Sequence, residues 1–255
     1  MLIFETKLPE IPLLSEKQQE VDILSIVYTL NTRTKLIYTS MKIAIIGTGR
    51  MGKGLVKTFY TAYPKDILFS SRDQQRAQQL LDALALNLKA VDITEALQAD
   101  VIIPTLWFRD LIPWSEAHKK QLKGKIVIDI TNPFNDDFSD FTTAYDTSSA
   151  EELQKIIPES IVVGAFKNTF WVVFDEPVLQ GIKSDVFVTS QNEAVRKSII
   201  DLLKPLPFRV LDAGLLKNSR TIERMTLLSS EMARKAGSHP RISYNLWGLE
   251  HEGLH

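Results

Sequence analysis

Residues 42–54 read KIAIIGTGRMGKG, in which an apolar, β-branched run turns at Gly47-x-Gly49-x-x-Gly52 into a helical pattern. Three glycines at that spacing, behind a strand and ahead of a helix, are suited to holding a diphosphate. Gly47 permits the tight turn, Gly49 lets the backbone approach the phosphates, and Gly52 lets the helix pack against the strand. The N–H groups and positive dipole end of the helix then favour the anion. Glycine turns are common, so the context decides. Ile43-Ala44-Ile45-Ile46 comes directly before this one, and Leu55, Val56 and Phe59 follow at helical spacing.

About twenty residues on, a carboxylate at the end of the second strand would grip the ribose 2′-hydroxyl of NAD. Here Asp66–Ser70 reads as that strand and runs into Ser71-Arg72-Asp73, with Arg76 one helical turn later. Hydroxyls and a guanidinium suit a 2′-phosphate, since arginine offers a fork of donors and a permanent charge. Two other readings stay open: Ser71 as the cap of a solvated helix, or Asp73 as the ribose carboxylate of a strand that ends later. NADP is the expected dinucleotide.

The chain has 255 residues and a formal net charge of −1, enough length for one large or two small domains. Its near-neutral balance argues against nucleic acid or a membrane surface as partner. It contains no cysteine, which excludes disulfides, thiolate metal sites and cysteine nucleophiles. His118, His239, His251 and His255 lack ligand spacing, and no serine-hydrolase elbow is present. No apolar run approaches the roughly 18 residues of a membrane span, and a cytoplasmic setting is expected.

Alternating strand and helix signals place these residues on a parallel sheet. Strands are predicted at 42–46, 66–70, 88–91, 100–103, 125–130, 160–166, 185–189 and 208–214. Helices are predicted at 74–86, 94–97, 108–121, 149–157, 193–203 and 215–235, the last beginning near Asn218 and Ser219. The expected architecture is an α/β, doubly wound Rossmann sheet over 41–166 with a small C-terminal α/β unit over 167–255. Residues 1–40 read as an N-terminal extension or as an arm used in dimer contacts, with Val21–Leu30 a strand or short helix.

Ligands of an open parallel sheet bind beyond the carboxyl ends of its strands. That makes Thr105-Leu106-Trp107, Asn132-Pro133-Phe134 and Lys167-Asn168-Thr169 the candidates. Leu106 and Trp107 could press on a ribose or nicotinamide, or fill core. The Asn132 amide could hold a cofactor or a neighbouring backbone, with Pro133 fixing the turn. Lys167 is either an acid or anion anchor or a solvated lysine. No residue is assigned as catalytic. Hydride transfer between two redox rings needs apposition more than protein chemistry.

From Met41 onward the chain resembles the NADPH-dependent F-420 reductases, small oxidoreductases that pass hydride between NADP and a deazaflavin. The segments that carry the likeness are IIGTGRMGKGL, FSSRDQ, GKIVIDITNPF and VLDAGLLKNSRTIERMTLL. The last discriminates, through Asp212-Ala213-Gly214, Asn218-Ser219-Arg220 and Glu223. The resemblance implies that Thr48, Arg50 and Met51 line the phosphate turn and that Ser71, Arg72 and Arg76 hold the 2′-phosphate. It further implies a small-molecule redox acceptor stacked on the nicotinamide, and a homodimer. Pro104–Trp107 and Phe166–Trp171 depart from the family pattern, so coenzyme F-420, a flavin or another small oxidised molecule all remain as acceptors. Two alternatives stand beside this reading. One is an imine reductase like pyrroline-5-carboxylate reductase, which needs a long helical dimerisation domain. The other is an NADP-binding redox sensor without turnover.

Overall fold

The computed structural model describes residues 41–249; the readings made for residues 1–40 and for the last six residues fall outside them. Ten strands form: β1 Ile43–Ile46, β2 Ile67–Ser70, β3 Ala90–Val91, β4 Val101–Pro104, β5 Ile126–Asp129, β6 Ile161–Gly164, β7 Val178–Leu179, β8 Ile182–Lys183, β9 Asp185–Ser190 and β10 Arg209–Asp212. The helices are α1 Arg50–Ala62, α2 Gln74–Ala83, α3 Ile93–Ala96, α4 Phe108–Ala117, α5 Lys119–Leu122, α6 Ser149–Ile156, α7 Glu193–Leu203 and α8 Ser219–Lys235.

Eight strands make one sheet in the order β10-β9-β6-β5-β4-β1-β2-β3. All its pairs are parallel except β6 with β9, where Val163 faces Ser190 and Gly164 faces Thr189. The fold is the doubly wound Rossmann type expected, with β9-α7-β10 as a further parallel unit on the same sheet. The chain moves outward from β1 through β2 to β3 and then returns to β4 on the other side of β1. That reversal opens a crevice at the carboxyl ends of β1 and β4, where a doubly wound sheet binds its ligand.

β1 shows why the sheet is covered on both faces. Ile43 and Ile45 join one core with Leu55, Phe59 and Phe69, whereas Ala44 and Ile46 join another with Leu111 and Leu153. An uninterrupted apolar run is what a central parallel strand requires, because both sides of its pleat are dry. An aromatic group (Phe59, Phe166, Phe174 and Phe208) fills the first core, with edge-on contacts near 6 Å.

Element ends differ from the sequence reading where local chemistry overrides the apolar pattern. The helix expected over 108–121 is two helices, divided at His118. The hairpin β7–β8 was not anticipated, because four exposed residues carry little alternation. Among the described residues no helix is long and apolar enough to cross a membrane.

Candidate active site

The glycine turn has the three roles its spacing implies. Gly47 has φ +119°, a left-handed-region value that disfavours a side chain. A β-carbon on Gly52 would stand 2.0 Å from the Gly47 carbonyl oxygen and 2.8 Å from Thr105 Oγ1. Gly49 is different: a β-carbon there would meet nothing within 4 Å. Gly52 thus closes the turn, and Gly49 borders open space. Thr105 clasps the turn to the next strand, its backbone N–H and hydroxyl both donating to the Ile46 carbonyl.

α1 starts without an acidic residue in its first turn and, like α4, α5 and α8, without a side-chain cap. α2, α3, α6 and α7 are capped by Asp73, Asp92, Ser148 and Asn192. The leading N–H groups of α1 are left to an outside anion, as a diphosphate site requires.

The crevice is a cleft of about 730 Å³. Of the residues singled out from sequence, Thr48, Gly49, Arg50, Met51, Arg76, Thr105, Leu106, Trp107, Asn132, Phe134 and Thr169 line it. Gly47 and Gly52 lie beneath it as turn formers, and Pro133 is buried behind it. Ser71 and Arg72 are outside the cleft lining, at the end of β2; the Ser71 hydroxyl donates to the Asp73 carbonyl at 2.5 Å. Asp73 caps α2, its Oδ1 accepting from the Arg76 backbone N–H at 2.9 Å. A smaller hollow of about 540 Å³ lies on the hairpin surface beside Trp247 and includes none of the strand ends.

The strand-end candidates separate. Trp107 is half-exposed at the rim, edge-on to Phe138 at 5.7 Å. Asn132 donates from Nδ2 to the Lys167 carbonyl at 2.7 Å, and its buried Oδ1 has no partner among the described residues. Lys167 corrects the solvated reading: it is 1% exposed and points away from solvent. Its Nζ donates to Asp129 Oδ2 at 2.6 Å, to the Thr131 carbonyl at 2.8 Å and to Ser149 Oγ at 2.7 Å. Glu223 Oε1 lies 2.8 Å away. Burial opposes the lysine charge, but Asp129 and Glu223 outweigh it and raise its pKa. One lysine cannot neutralise two buried carboxylates. Desolvation accordingly raises the pKa of Glu223, with Asp129 adding to the rise against the opposing pull of Lys167.

The C-terminal half supplies the other wall: Thr169, Phe170, Trp171, Thr226, Arg234 and His239. Of these, only Thr169 was among the strand-end candidates read from the sequence. Arg234 and His239 follow the fingerprint by some 180 residues, and no spacing rule links them to it.

A family model for coenzyme F420-dependent NADP oxidoreductases matches residues 42–133. The F420-dependent NADP reductase of Methanocaldococcus jannaschii is 32% identical over 206 residues, covering 74% of this chain and 90% of the relative. The chain belongs to the F420-dependent NADP reductase family. The human metalloreductase STEAP2 is 27% identical over 192 residues, but this chain spans only 36% of its length. Among solved structures, one described as a putative F420-dependent NADP reductase from Arthrobacter has a TM-score of 0.67 at 22% identity, with 78% of this chain and 96% of that one covered. A pyrroline-5-carboxylate reductase from Coxiella burnetii reaches 0.52 at 14% identity, over 80% of this chain and 73% of that one. At such identities both show a shared fold. The glycine turn lies at the switch-point cleft, which Thr226 of α8 also lines, whereas Glu223 of α8 sits apart in the buried lysine network.

Proposed function

We propose that this member of the family is an NADP-dependent oxidoreductase that passes hydride directly between NADPH and a small ring acceptor such as coenzyme F-420 or a flavin. The observation that carries this reading is the uncapped α1 terminus at the switch point, opening onto one cleft that also holds Arg50 and Arg76. The residues present fit a dinucleotide. Gly49 leaves room for the diphosphate, the leading N–H groups of α1 and Arg50 face it, and Ser71, Arg72 and Arg76 provide for the 2′-phosphate. Asn132 Oδ1, buried and unpartnered, suits an amide donor of the bound ring.

The dinucleotide supplies the hydride, and the protein's part is to orient two rings and exclude water. Leu106, Phe134, Phe138 and Phe170 give the cleft an apolar and aromatic surface for that task. The segment 167–249 forms the acceptor side. A homodimer fits the exposed Leu228 and Met232 on α8, and light scattering tests it. The pyrroline-5-carboxylate reductase alternative is weaker, since β9 and β10 stand where that reading needs a long helical domain.

Loss of NADPH absorbance with F-420, FMN, FAD and pyrroline-5-carboxylate offered separately tests the reading. Turnover with a ring acceptor supports it. Turnover with the imine alone replaces it, and tight NADPH binding without any turnover favours a sensor.

A further inference from the structure

Reduction of a conjugated ring by hydride is half of a balanced step. One hydride, which carries both electrons, leaves the dihydronicotinamide and bonds to a ring atom of the acceptor, a carbon in a deazaflavin or a nitrogen in a flavin, and the displaced π electrons settle on another ring nitrogen. That nitrogen must gain a proton: NADPH + acceptor + H⁺ gives NADP⁺ + reduced acceptor. The described residues of the cleft hold few groups able to give one. Arg50, Arg76 and Arg234 do not release protons. Asp137 is held ionised, because the Ser139 hydroxyl and backbone N–H both donate to it and lower its pKa. The hydroxyls of Thr and Ser side chains are far too weak as acids.

That leaves His239. α8 ends at Lys235 with Ala236 as its cap, and Gly237 takes the left-handed conformation at φ +68°. The backbone N–H groups of Ser238 and His239 then donate to the Ala233 carbonyl at 2.9 and 3.1 Å, which turns the histidine into the cleft. Its ring stands edge-on to Phe170 at 5.7 Å and to Trp171 at 5.9 Å. Two aromatic edges fix its plane, yet neither ring nitrogen bonds to any described residue. A histidine positioned by packing with both nitrogens left over is arranged to exchange a proton with a ligand.

We propose that His239 is the catalytic acid that protonates the acceptor ring as the hydride arrives, and the base that removes that proton in the reverse direction. The inference rests on the proposed function. In the forward step the imidazolium N–H bond breaks as the acceptor N–H bond forms, and solvent reprotonates the imidazole afterwards. The charged groups facing His239 are Arg234 from α8 and Arg50 from α1, with Asp137 in the same cleft. Burial first, then those two arginines, lower the pKa of His239. Acceptor reduction therefore runs fastest at acid pH and declines as pH rises through that lowered value.

The test compares wild type with His239→Gln and His239→Asn, using NADPH with F-420 and with FMN. Both variants are expected to bind NADPH as wild type does by fluorescence titration. Their kcat for acceptor reduction should fall on the order of 100-fold and lose its acid-side rise. Unchanged kcat and an unchanged pH profile would show that solvent supplies the proton and overturn the proposal. Loss of NADPH affinity in step with kcat, with the pH profile retained, would make His239 a binding residue and overturn it as well. Wild-type protein that binds NADPH but reduces no ring acceptor would overturn the proposed function and this inference with it.

Discussion

The guanidinium carbon of Arg50 lies 3.8 Å from the centroid of the Trp171 ring, joining the first turn of α1 to the segment that follows β6. Arg50 is thereby stacked, with its donor edge free for a phosphate. Trp171→Ala should leave the fold intact and weaken NADPH binding by about threefold to tenfold, the ~0.5–1.5 kcal/mol of a partly solvated cation–π contact. Titration of cofactor fluorescence measures this. Unchanged affinity would mean that the stack does not preorganise Arg50.

Gly49 and Gly52 should fail in opposite ways when each becomes alanine. Gly52→Ala drives a methyl group into the Gly47 carbonyl oxygen, so a loss of about 1–3 kcal/mol or more in stability is expected. Gly49→Ala meets no protein atom. Its melting temperature should match wild type while NADPH affinity falls on the order of tenfold or more. Melts and cofactor titrations on both variants separate the two roles, and normal NADPH binding by Gly49→Ala would remove the diphosphate from that turn.

Cofactor choice is tested at Arg72. Asp73 already commits one carboxylate oxygen to the cap of α2. Arg72→Ala should weaken NADPH about tenfold to a hundredfold, the ~1.5–3 kcal/mol of a charge-assisted contact, and leave NADH nearly unaffected. Equal losses for both dinucleotides would sink the 2′-phosphate assignment.

The buried Lys167 cluster makes a stability prediction with a definite sign. Lys167→Met strands Asp129 and Glu223 in the interior, at a cost of about 3–5 kcal/mol by denaturant unfolding. The raised pKa of Glu223 means the folded state favours its protonated form. That contribution is complete below the unfolded value near ~4.3 and is lost as pH rises through the native value. The raised pKa of Lys167 contributes stability throughout this range and loses it only above ~10.4, as pH climbs through its own native value. Wild type should therefore lose stability relative to Glu223→Gln as pH rises from the unfolded value near ~4.3 through the raised native value. Parallel melting curves for the two proteins across that window would show that Glu223 is ionised in the fold.

The sheet was legible because its strands are continuous apolar runs between turn signals, and only a covered parallel sheet uses them. The phosphate turn was legible because its three glycines are local. Lys167 was not. A lysine after a strand reads as solvated unless Asp129 and Glu223, distant in sequence, are known to meet it. Trp171 and His239 were missed for the same reason: their place in the cleft depends on where β6 ends and on how Gly237 turns the chain out of α8. The expected cofactor residues are proposals of uneven support, since Arg50, Arg76 and Asn132 line the cleft while Ser71 and Arg72 stand outside it.

The seam between β6 and β9 is tightly made. The Ser190 hydroxyl donates to the Val162 carbonyl at 2.8 Å, and Thr189 and Ser219 hydroxyls sit 2.7 Å apart where a side chain on Gly164 would collide with both. The strands bearing the phosphate turn and the strands β9 and β10 that lead into α8 are thus one continuous backbone ladder, with the start of α8 held to it through Ser219. Among the described residues that seam leaves no clamshell hinge within the sheet, since opening it there would unzip strand pairing. Traffic of dinucleotide and acceptor must instead pass the margins of the mouth: the aromatic loop that carries Phe134 and Phe138, and the chain beyond α8. Admission would then be governed by small local excursions, quick to reverse, in place of a slow wholesale closure.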